Sequence, residues 1–262
     1  MPTTYTHDAF GKAVYQKLPE EIKQVIAGHK MAFLIGLHGP DLLFYYRPFE
    51  KNEVNERGHA MHEAAAAEFF RKGKARYLKD RDEELLSYLT GFICHYMLDS
   101  TCHPYIEEYM KETGAGHDEL ETDLDRFLME RHGFNPFRYC PAKALSPQKE
   151  CVRVIVESFE GLDEGQIVKA IRSMHFYTAL TVCPNPFKRK VLLTVSRAVN
   201  AEELVSGRVM MKKRSKRCME GSAELLRLIR LAIPETVTVI EDFYETIEDE
   251  SYLNCRFDRN YL

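Results

Sequence analysis

Apolar residues recur at intervals of three and four positions along most of the chain, and no segment shows the sustained alternation of a strand. That period is typical of amphipathic helices. In one example, Leu120, Leu124, Phe127 and Leu128 fall on one side of a helix and charged residues fall on another. The pattern predicts helices over residues 8–18, 19–28, 59–74, 82–99, 117–131, 147–160, 163–181, 186–199, 201–232 (with a break near Gly207 or Gly221) and 234–248.

Glycine and proline mark the connections. Residues 36–58 and 133–147 are rich in both and are predicted to be loops. Pro104 limits the helix that begins near residue 82, because its ring clashes with the carbonyl four residues back and disfavours helical backbone at the residue before it. We therefore expect His103 just past the end of that helix. No repeat and no low-complexity linker is present, so we predict an all-α fold, a single multi-helix domain over residues 1–262.

The composition is that of an ordinary globular protein, with 45% hydrophobic and 29% charged residues. A net charge of −4 gives no whole-chain case for nucleic-acid binding. The start lacks the basic and apolar regions of a secretory signal, and no run of about 18 apolar residues is present. Seven cysteines without a CxxC spacing argue against a disulfide framework and against an all-cysteine zinc site. We therefore expect a cytoplasmic protein without an integral membrane segment.

The strongest chemical signal lies between residues 94 and 121. His95 and Asp99 are four apart, as are His117 and Glu121, so each pair projects from one side of a helix, about one turn apart. His103 lies between the two pairs. Imidazole and carboxylate ligands together are typical of zinc or a similar divalent ion, and not of calcium or an iron–sulfur cluster. The spacing predicts a metal site.

Further candidate ligands are isolated in the sequence. His7, Asp41, and the neighbours His59 and His62 precede the cluster. A lone histidine at any such position is more often structural than a ligand. Cys94 and Cys102 flank the cluster and are either soft metal ligands or buried structural thiols.

The order of these residues resembles that of the zinc-dependent phospholipase C family, whose fold is shared with zinc-dependent single-strand nucleases. The resemblance is specific from Phe92 to Phe127, where His-x3-Asp is followed by a His-Pro turn and then by His-x3-Glu. It extends more loosely back to His7, through Gly39-Pro40-Asp41 and His62-Glu63. After about residue 135 no motif matches. The metal-ligand half is therefore expected over about 1–135, and a helical C-terminal half over about 147–250.

The resemblance implies two or three zinc ions and a phosphoesterase that uses a metal-activated water. The implied ligands are Asp41, His62 (preferred to His59), His95 and Asp99 for one zinc, Asp99 and His7 for a second, and His103, His117 and Glu121 for the third. Asp41 is also the candidate general base, and His38 is expected to orient a ligand. Clustered zinc lowers the pKa of bound water to about 7 and clamps phosphate oxygens. The implied reaction is hydrolysis of a phosphate ester without a covalent enzyme intermediate.

Two features depart from the family pattern. Secreted relatives supply the amine and carbonyl of an N-terminal tryptophan to the zinc shared with His7, but this chain has no tryptophan, and the amine of Met1 or Pro2 would have to substitute. Residues 1–6 contain no acid, and Leu42 follows Asp41 where relatives that select choline have an aromatic residue. Selectivity for phosphatidylcholine is therefore not expected.

Several alternatives remain open at the level of sequence. The aromatic residues after Asp41, among them Tyr45 and Tyr46, either line a substrate pocket or belong to the core. The basic runs 188–190 and 208–217 either attract anionic lipid headgroups or nucleic acid, or are solvated helix faces. The substrate is therefore a phosphodiester such as a phospholipid headgroup, or else a nucleotide or single-stranded nucleic acid. A third interpretation is a metal-stabilised binding protein without turnover, which predicts closed, ligand-saturated metal sites.

Overall fold

The chain is all-helical, as predicted. A computed structural model describes residues 4–262, and within that range it contains twelve α-helices and no strand. The helices are α1 (Thr4–Tyr15), α2 (Glu20–Gly28), α3 (Lys30–Gly36), α4 (Glu53–Glu63), α5 (Ala67–Asp80), α6 (Glu83–Thr113), α7 (His117–Arg131), α8 (Lys149–Ser158), α9 (Glu164–Thr181), α10 (Pro186–Ala198), α11 (Glu202–Ser206) and α12 (Lys216–Glu245). Short 3-10 helices cover Gly39–Tyr45, Pro141–Ala144 and Cys255–Asp258. No described helix is both long enough and apolar enough to cross a bilayer.

Helix α6 is the centre of the fold, and α3, α5, α8 and α12 pack around it. It begins where the side chain of Asp82 accepts hydrogen bonds from the backbone N–H groups of Glu84 and Leu85. It ends at Gly114, which has a positive φ of 67° that glycine adopts without strain. Every residue of α6 from Leu85 to Ser100 is buried, so the polar side chains in this stretch are held away from solvent.

The prediction that Pro104 ends this helix was wrong. Helix α6 runs through Pro104 to Thr113, and His103 lies inside it. Pro234 likewise lies inside α12, where a helix start had been predicted. Both prolines are solvent-exposed, while Cys102 and Ala232, two residues before each, are buried against neighbouring elements. Tertiary packing on the buried side of each helix therefore outweighs the loss of one backbone hydrogen bond on the exposed side.

Residues 36–74 also differ from the prediction. The segment expected to be a loop contains the 3-10 helix Gly39–Tyr45 and the start of α4, which Asn52 caps by accepting a hydrogen bond from the Asn55 N–H. The single helix predicted over 59–74 is broken between α4 and α5, although its alanines favour helix. There, the backbone N–H of Ala66 donates to the carbonyl of Arg259, a contact that local helix propensity does not reveal.

Helices α3 and α6 approach each other closely at two glycines. A Cβ on Gly36 would lie 2.3 Å from the carbonyl oxygen of Tyr88, and one on Gly91 would lie 2.2 Å from that of Phe33. The contact is thus backbone against backbone. It brings the chain that follows α3, including Asp41, alongside the polar stretch of α6.

Candidate metal centre

Four buried side chains from three separate elements meet at the middle of α6. His95 and Asp99 come from α6, His7 from α1 and Asp41 from the 3-10 helix Gly39–Tyr45, and one potential ligand atom of each lies within 4.8 Å of the others. Asp99 is central, because its carboxylate oxygens lie 3.3 Å from His7 Nε2 and 3.2 Å from His95 Nε2.

His62 on α4 completes this group. Its Nε2 lies 3.1 Å from Asp41 Oδ1 and 3.7 Å from Asp99 Oδ2. Its Nδ1 lies 2.7 Å from the carbonyl oxygen of Gly58, and because a carbonyl only accepts, Nδ1 must carry the proton. Nε2 therefore faces the carboxylates and is the nitrogen available to a metal ion once its proton is displaced, which is the arrangement of a metal-binding histidine. His59 is exposed instead, and its ring lies 4.5 Å from that of Phe44.

A second group lies about one turn further along α6. His117 Nε2 is 2.9 Å from Glu121 Oε1, and His103 Nε2 is 3.7 Å from the same oxygen. His103 is placed here because α6 continues past it. Its Nδ1 donates to the carbonyl of Tyr261 at 2.8 Å, which again leaves Nε2 for a ligand. His117 has 31% of its side chain exposed, so this group is open to solvent on one side.

Two contacts position the segments that carry His7 and Asp41 against α6. Asp125 on α7 accepts hydrogen bonds from the backbone N–H groups of Tyr5 and Thr6 at 3.1 and 2.8 Å, so it caps the start of α1 beside His7. Gly39 has φ +46°, and a Cβ there would lie 2.2 Å from the His95 ring. The sequence analysis gave Asp125 no role.

The C-terminal residues form one wall of the site, which sequence reasoning missed entirely. Tyr261 accepts the hydrogen bond from His103, its own N–H donates to the carbonyl of His62 at 3.2 Å, and its ring centroid lies 5.2 Å from that of His62. The hydroxyl of Tyr96 donates to the carbonyls of Arg256 and Arg259, which holds this segment against α6. No motif signals such a role for a backbone carbonyl.

Burial and charge shift the pKa values of the group in opposite directions. Burial acts to raise the pKa of Asp99, but the charges of His95, His103 and His7 hold it well below its usual range. Against the effect of burial, the nearby carboxylates of Asp41 and Asp99 raise the pKa of His62 to about 10. Burial also acts to lower the pKa of His103, but the charge of Asp99, followed by the contact with Glu121, raises it to about 9. Asp99 is thus ionised at neutral pH and attracts positive charge.

His38 behaves differently. Burial first, and then the charges of His7 and His95, hold its pKa well below the usual range. It is neutral, and its ring centroid lies 6.4 Å from that of His7. Its backbone carbonyl accepts a hydrogen bond from the Asp41 N–H at 3.0 Å, but among the described residues no side-chain hydrogen bond or ion pair of His38 fixes a role for its ring.

The donor set fits a divalent cation on two observations. Both ring nitrogens of His95 lack a hydrogen-bond partner, as do one oxygen each of Asp41, Asp99 and Glu121, although all are buried. Unpartnered buried polar atoms are costly, and a cation between them removes that cost. Two atoms that each bind a tetrahedral zinc at about 2.0–2.1 Å are roughly 3.3 Å apart, which matches the 3.1–3.3 Å separations here.

The structure thus brings together the eight residues that the sequence analysis proposed as ligands: His7, Asp41, His62, His95, Asp99, His103, His117 and Glu121. Neither cysteine joins them; Cys94 and Cys102 are buried, and burial raises the pKa of each thiol. The expected contribution of the Met1 or Pro2 amine lies outside the described residues.

A largely apolar pocket lies beside α7, although none of the eight candidate ligands lines it. Tyr45, Tyr139 and Tyr177 line it, together with Asp118 and Thr122, which neighbour the α7 ligands in the chain. Arg208 also lines it, with Nε 3.2 Å from an oxygen of Asp118. Tyr46 is not among the lining side chains; its ring packs under the Lys169 ammonium at 5.5 Å.

Comparison with known proteins agrees with this geometry. The family model described as zinc dependent phospholipase C matches residues 6–175, well over half of the chain, and that range contains every ligand candidate. No curated protein and no solved structure matches the chain. On the strength of the family match, the chain belongs to the zinc-dependent phospholipase C family.

Proposed function

We propose that the protein is a metal-dependent phosphoric ester hydrolase that cleaves a phosphodiester. The observation that carries the proposal is the double cluster of buried imidazoles and carboxylates on α6 and α7, with unpartnered nitrogen and oxygen atoms directed inward. A catalytic site also needs access from solvent, and the exposed edge of His117 provides it at the second group.

The residues divide into two neighbouring sets. Asp41, His62, His95 and Asp99 would hold one zinc, Asp99 and His7 would share a second, and His103, His117 and Glu121 would hold another, giving two or three ions. Bound zinc supplies a lowered water pKa and charge stabilisation at the phosphate oxygens. The protein supplies the fixed positions of the ligands, through the carbonyls of Gly58 and Tyr261 behind His62 and His103.

Asp41 is the proposed general base. It is nearly fully buried, it belongs to the first cluster, and its Oδ1 has no hydrogen-bond partner. A carboxylate in that position is placed to accept a proton from an attacking water and to orient the water toward phosphorus. His62, whose Nε2 is 3.1 Å away, fixes the orientation of the carboxylate.

The adjoining pocket favours a phosphodiester that carries an apolar group, such as a phospholipid. Tyr45 is the proposed substrate-contacting residue, because it lines the pocket only four positions after Asp41. Arg208 provides a guanidinium at the same pocket, suited to a phosphate oxygen. A nucleotide or single-stranded nucleic acid remains the competing substrate on the same metals.

The test combines metal content with turnover. Purified protein is analysed by mass spectrometry for zinc beside Asp99→Asn, with Asp258→Asn, an exposed carboxylate, as the control. Hydrolysis of bis(p-nitrophenyl) phosphate, phospholipid vesicles and a single-stranded oligonucleotide is then measured. We expect two or three zinc equivalents in the wild type and the control, fewer in Asp99→Asn, and activity that follows zinc content. A folded wild type that takes up no zinc, or zinc-loaded protein that cleaves no phosphodiester, would overturn the proposal.

A further inference from the structure

Helix α10 presents an apolar side to solvent. It spans Pro186–Ala198, yet Ser196 is the one residue it buries. Phe187, Val191, Val195 and Val199 are 77%, 43%, 53% and 64% exposed. We call these four side chains the α10 ridge. At about 100° per residue, Phe187, Val191 and Val195 fall within about 80° of one another, on the side away from Ser196.

The inward side of α10 carries the half-buried Leu192 and Leu193, and two basic side chains also attach the helix to the protein. The Lys188 ammonium donates to the carbonyls of Ala179 and Val182 at the end of α9, at 3.2 and 2.5 Å. The guanidinium of Arg189 lies 5.2 Å over the ring of Phe137. The helix is therefore apolar on its exposed side as well as on its inward side, and an exposed apolar row on a short helix is typical of one that meets an apolar phase.

The surrounding charge selects the kind of partner. Residues 165–201 contain six lysines and arginines and no aspartate or glutamate, in a chain whose net charge is −4. Lys190 is exposed next to the α10 ridge and forms no ion pair within the described part of the chain. An anionic surface complements this segment, whereas a second copy of it would place like charges together.

We propose that the α10 ridge docks the protein on an anionic phospholipid bilayer, with the ridge among the acyl chains and Lys190 among the headgroups. Nucleic acid is a less suitable partner, because the exposed apolar side chains of the α10 ridge would have no apolar surface to bury against along a phosphate backbone. The carbonyls that hold Lys188 belong to the end of α9, where Thr181, Val182 and Cys183 line the pocket beside the metal ligands. Docking would thus bring the pocket to the lipid surface. The proposal goes beyond the hydrolase assignment and does not depend on it.

The test is co-sedimentation of the full-length protein with vesicles of phosphatidylcholine alone, and of equal parts phosphatidylcholine and phosphatidylserine. We expect binding to the mixed vesicles that weakens with salt. Phe187→Ser with Val191→Ser should weaken it about tenfold, equivalent to about 1.4 kcal/mol. Leu231→Ser, an equally exposed apolar position on α12, should not. Lys190→Glu should weaken binding, and Lys17→Glu, at an exposed lysine on the α1–α2 connection, should not.

The outcomes separate the two proposals. Because Phe187 and Val191 are exposed, their replacement should leave hydrolysis of a soluble phosphodiester unchanged. Vesicle binding without any hydrolysis would sink the hydrolase assignment alone. Failure of the wild type to bind mixed vesicles, or equal binding by the double variant, would overturn the docking proposal. So would a solution dimer that the double variant dissociates, or release from vesicles by a single-stranded oligonucleotide.

Discussion

Replacement of Gly39 by alanine tests the geometry of the metal centre most directly. Gly39 has φ +46°, and its missing Cβ would lie 2.2, 2.5 and 2.8 Å from three atoms of the His95 ring. Carbon atoms in ordinary contact are about 3.5–4.0 Å apart, so the ring or the backbone must move by more than about 1 Å. His95 is fully buried and has no space to move into without disturbing Asp99 and His7.

The cost follows from two contributions. A left-handed conformation costs a residue with a Cβ about 1–2 kcal/mol, and overpacking a dense interior costs about 1–3 kcal/mol. We therefore expect Gly39→Ala to lower the free energy of unfolding by about 2–5 kcal/mol. At about 2–4 °C per kcal/mol for a chain of this size, the melting temperature should fall by about 4–20 °C.

Zinc binding should fall more sharply than stability. A metal site tolerates ligand displacements of about 0.2 Å, well below the shift forced on His95. Zinc content is measured by mass spectrometry on folded protein, with circular dichroism to verify folding, and a displacement of about 1 Å also predicts at least a 100-fold loss of turnover.

Gly28→Ala is the matched control. Gly28 is the last residue of α2, and a Cβ there would meet no atom within 4 Å. The same chemical change should be neutral or stabilising by about 0.5–1 kcal/mol. If Gly39→Ala binds as much zinc as Gly28→Ala and has the same melting temperature, the placement of Gly39 against His95 is wrong.

Four further predictions concern the histidines of the metal centre and the cap of α1. His62→Asn should lower zinc content and activity together, while His59→Asn, at an exposed site, should change neither; equal loss in both variants would contradict the assignment. Because the pKa values of His62 and His103 are raised to about 10 and 9, zinc must displace protons, so its affinity should rise with pH up to that range, with proton release visible by calorimetry in buffers of different ionisation enthalpy. In metal-free protein the same shifts stabilise the fold below about pH 6.5, and this contribution should disappear as pH rises through 9–10 in thermal melts. Asp125→Ala should cost roughly 1–3 kcal/mol and also lower zinc content, whereas Asp163→Ala, which removes the N-cap of α9, should cost about 1 kcal/mol and leave zinc unchanged; unaltered zinc in both would show that the α1 cap does not position a ligand.

The parts of the site that are local in sequence were predictable. The His95–Asp99 and His117–Glu121 pairs follow from helical spacing, and the start of α7 at His117 was predicted and is confirmed. The continuation of α6 through Pro104 was not, because the preference of a proline neighbour is weaker than the packing that holds His103 in the helix.

What the sequence could not reveal are contacts between distant segments. Nothing near Tyr261 indicates that its carbonyl receives a hydrogen bond from a residue 158 positions away. The capping of α1 by Asp125 spans 120 positions, and the close approach of Gly39 to His95 needs the packing of α3 on α6. Such features depend on tertiary structure, which pattern and propensity do not encode locally.

The contact of Tyr261 with His62 and His103 has a consequence for how the chain acquires its metal centre. Individual helices form within microseconds, but a pairing across this many residues must wait for a large loop to close. The α6 and α7 residues can therefore attract zinc before the contacts with Tyr261 fix the orientation of His62 and His103. We expect full zinc affinity only once residues 255–261 lie across α6. In kinetic terms, completion of the fold and maturation of the metal centre are a single late event.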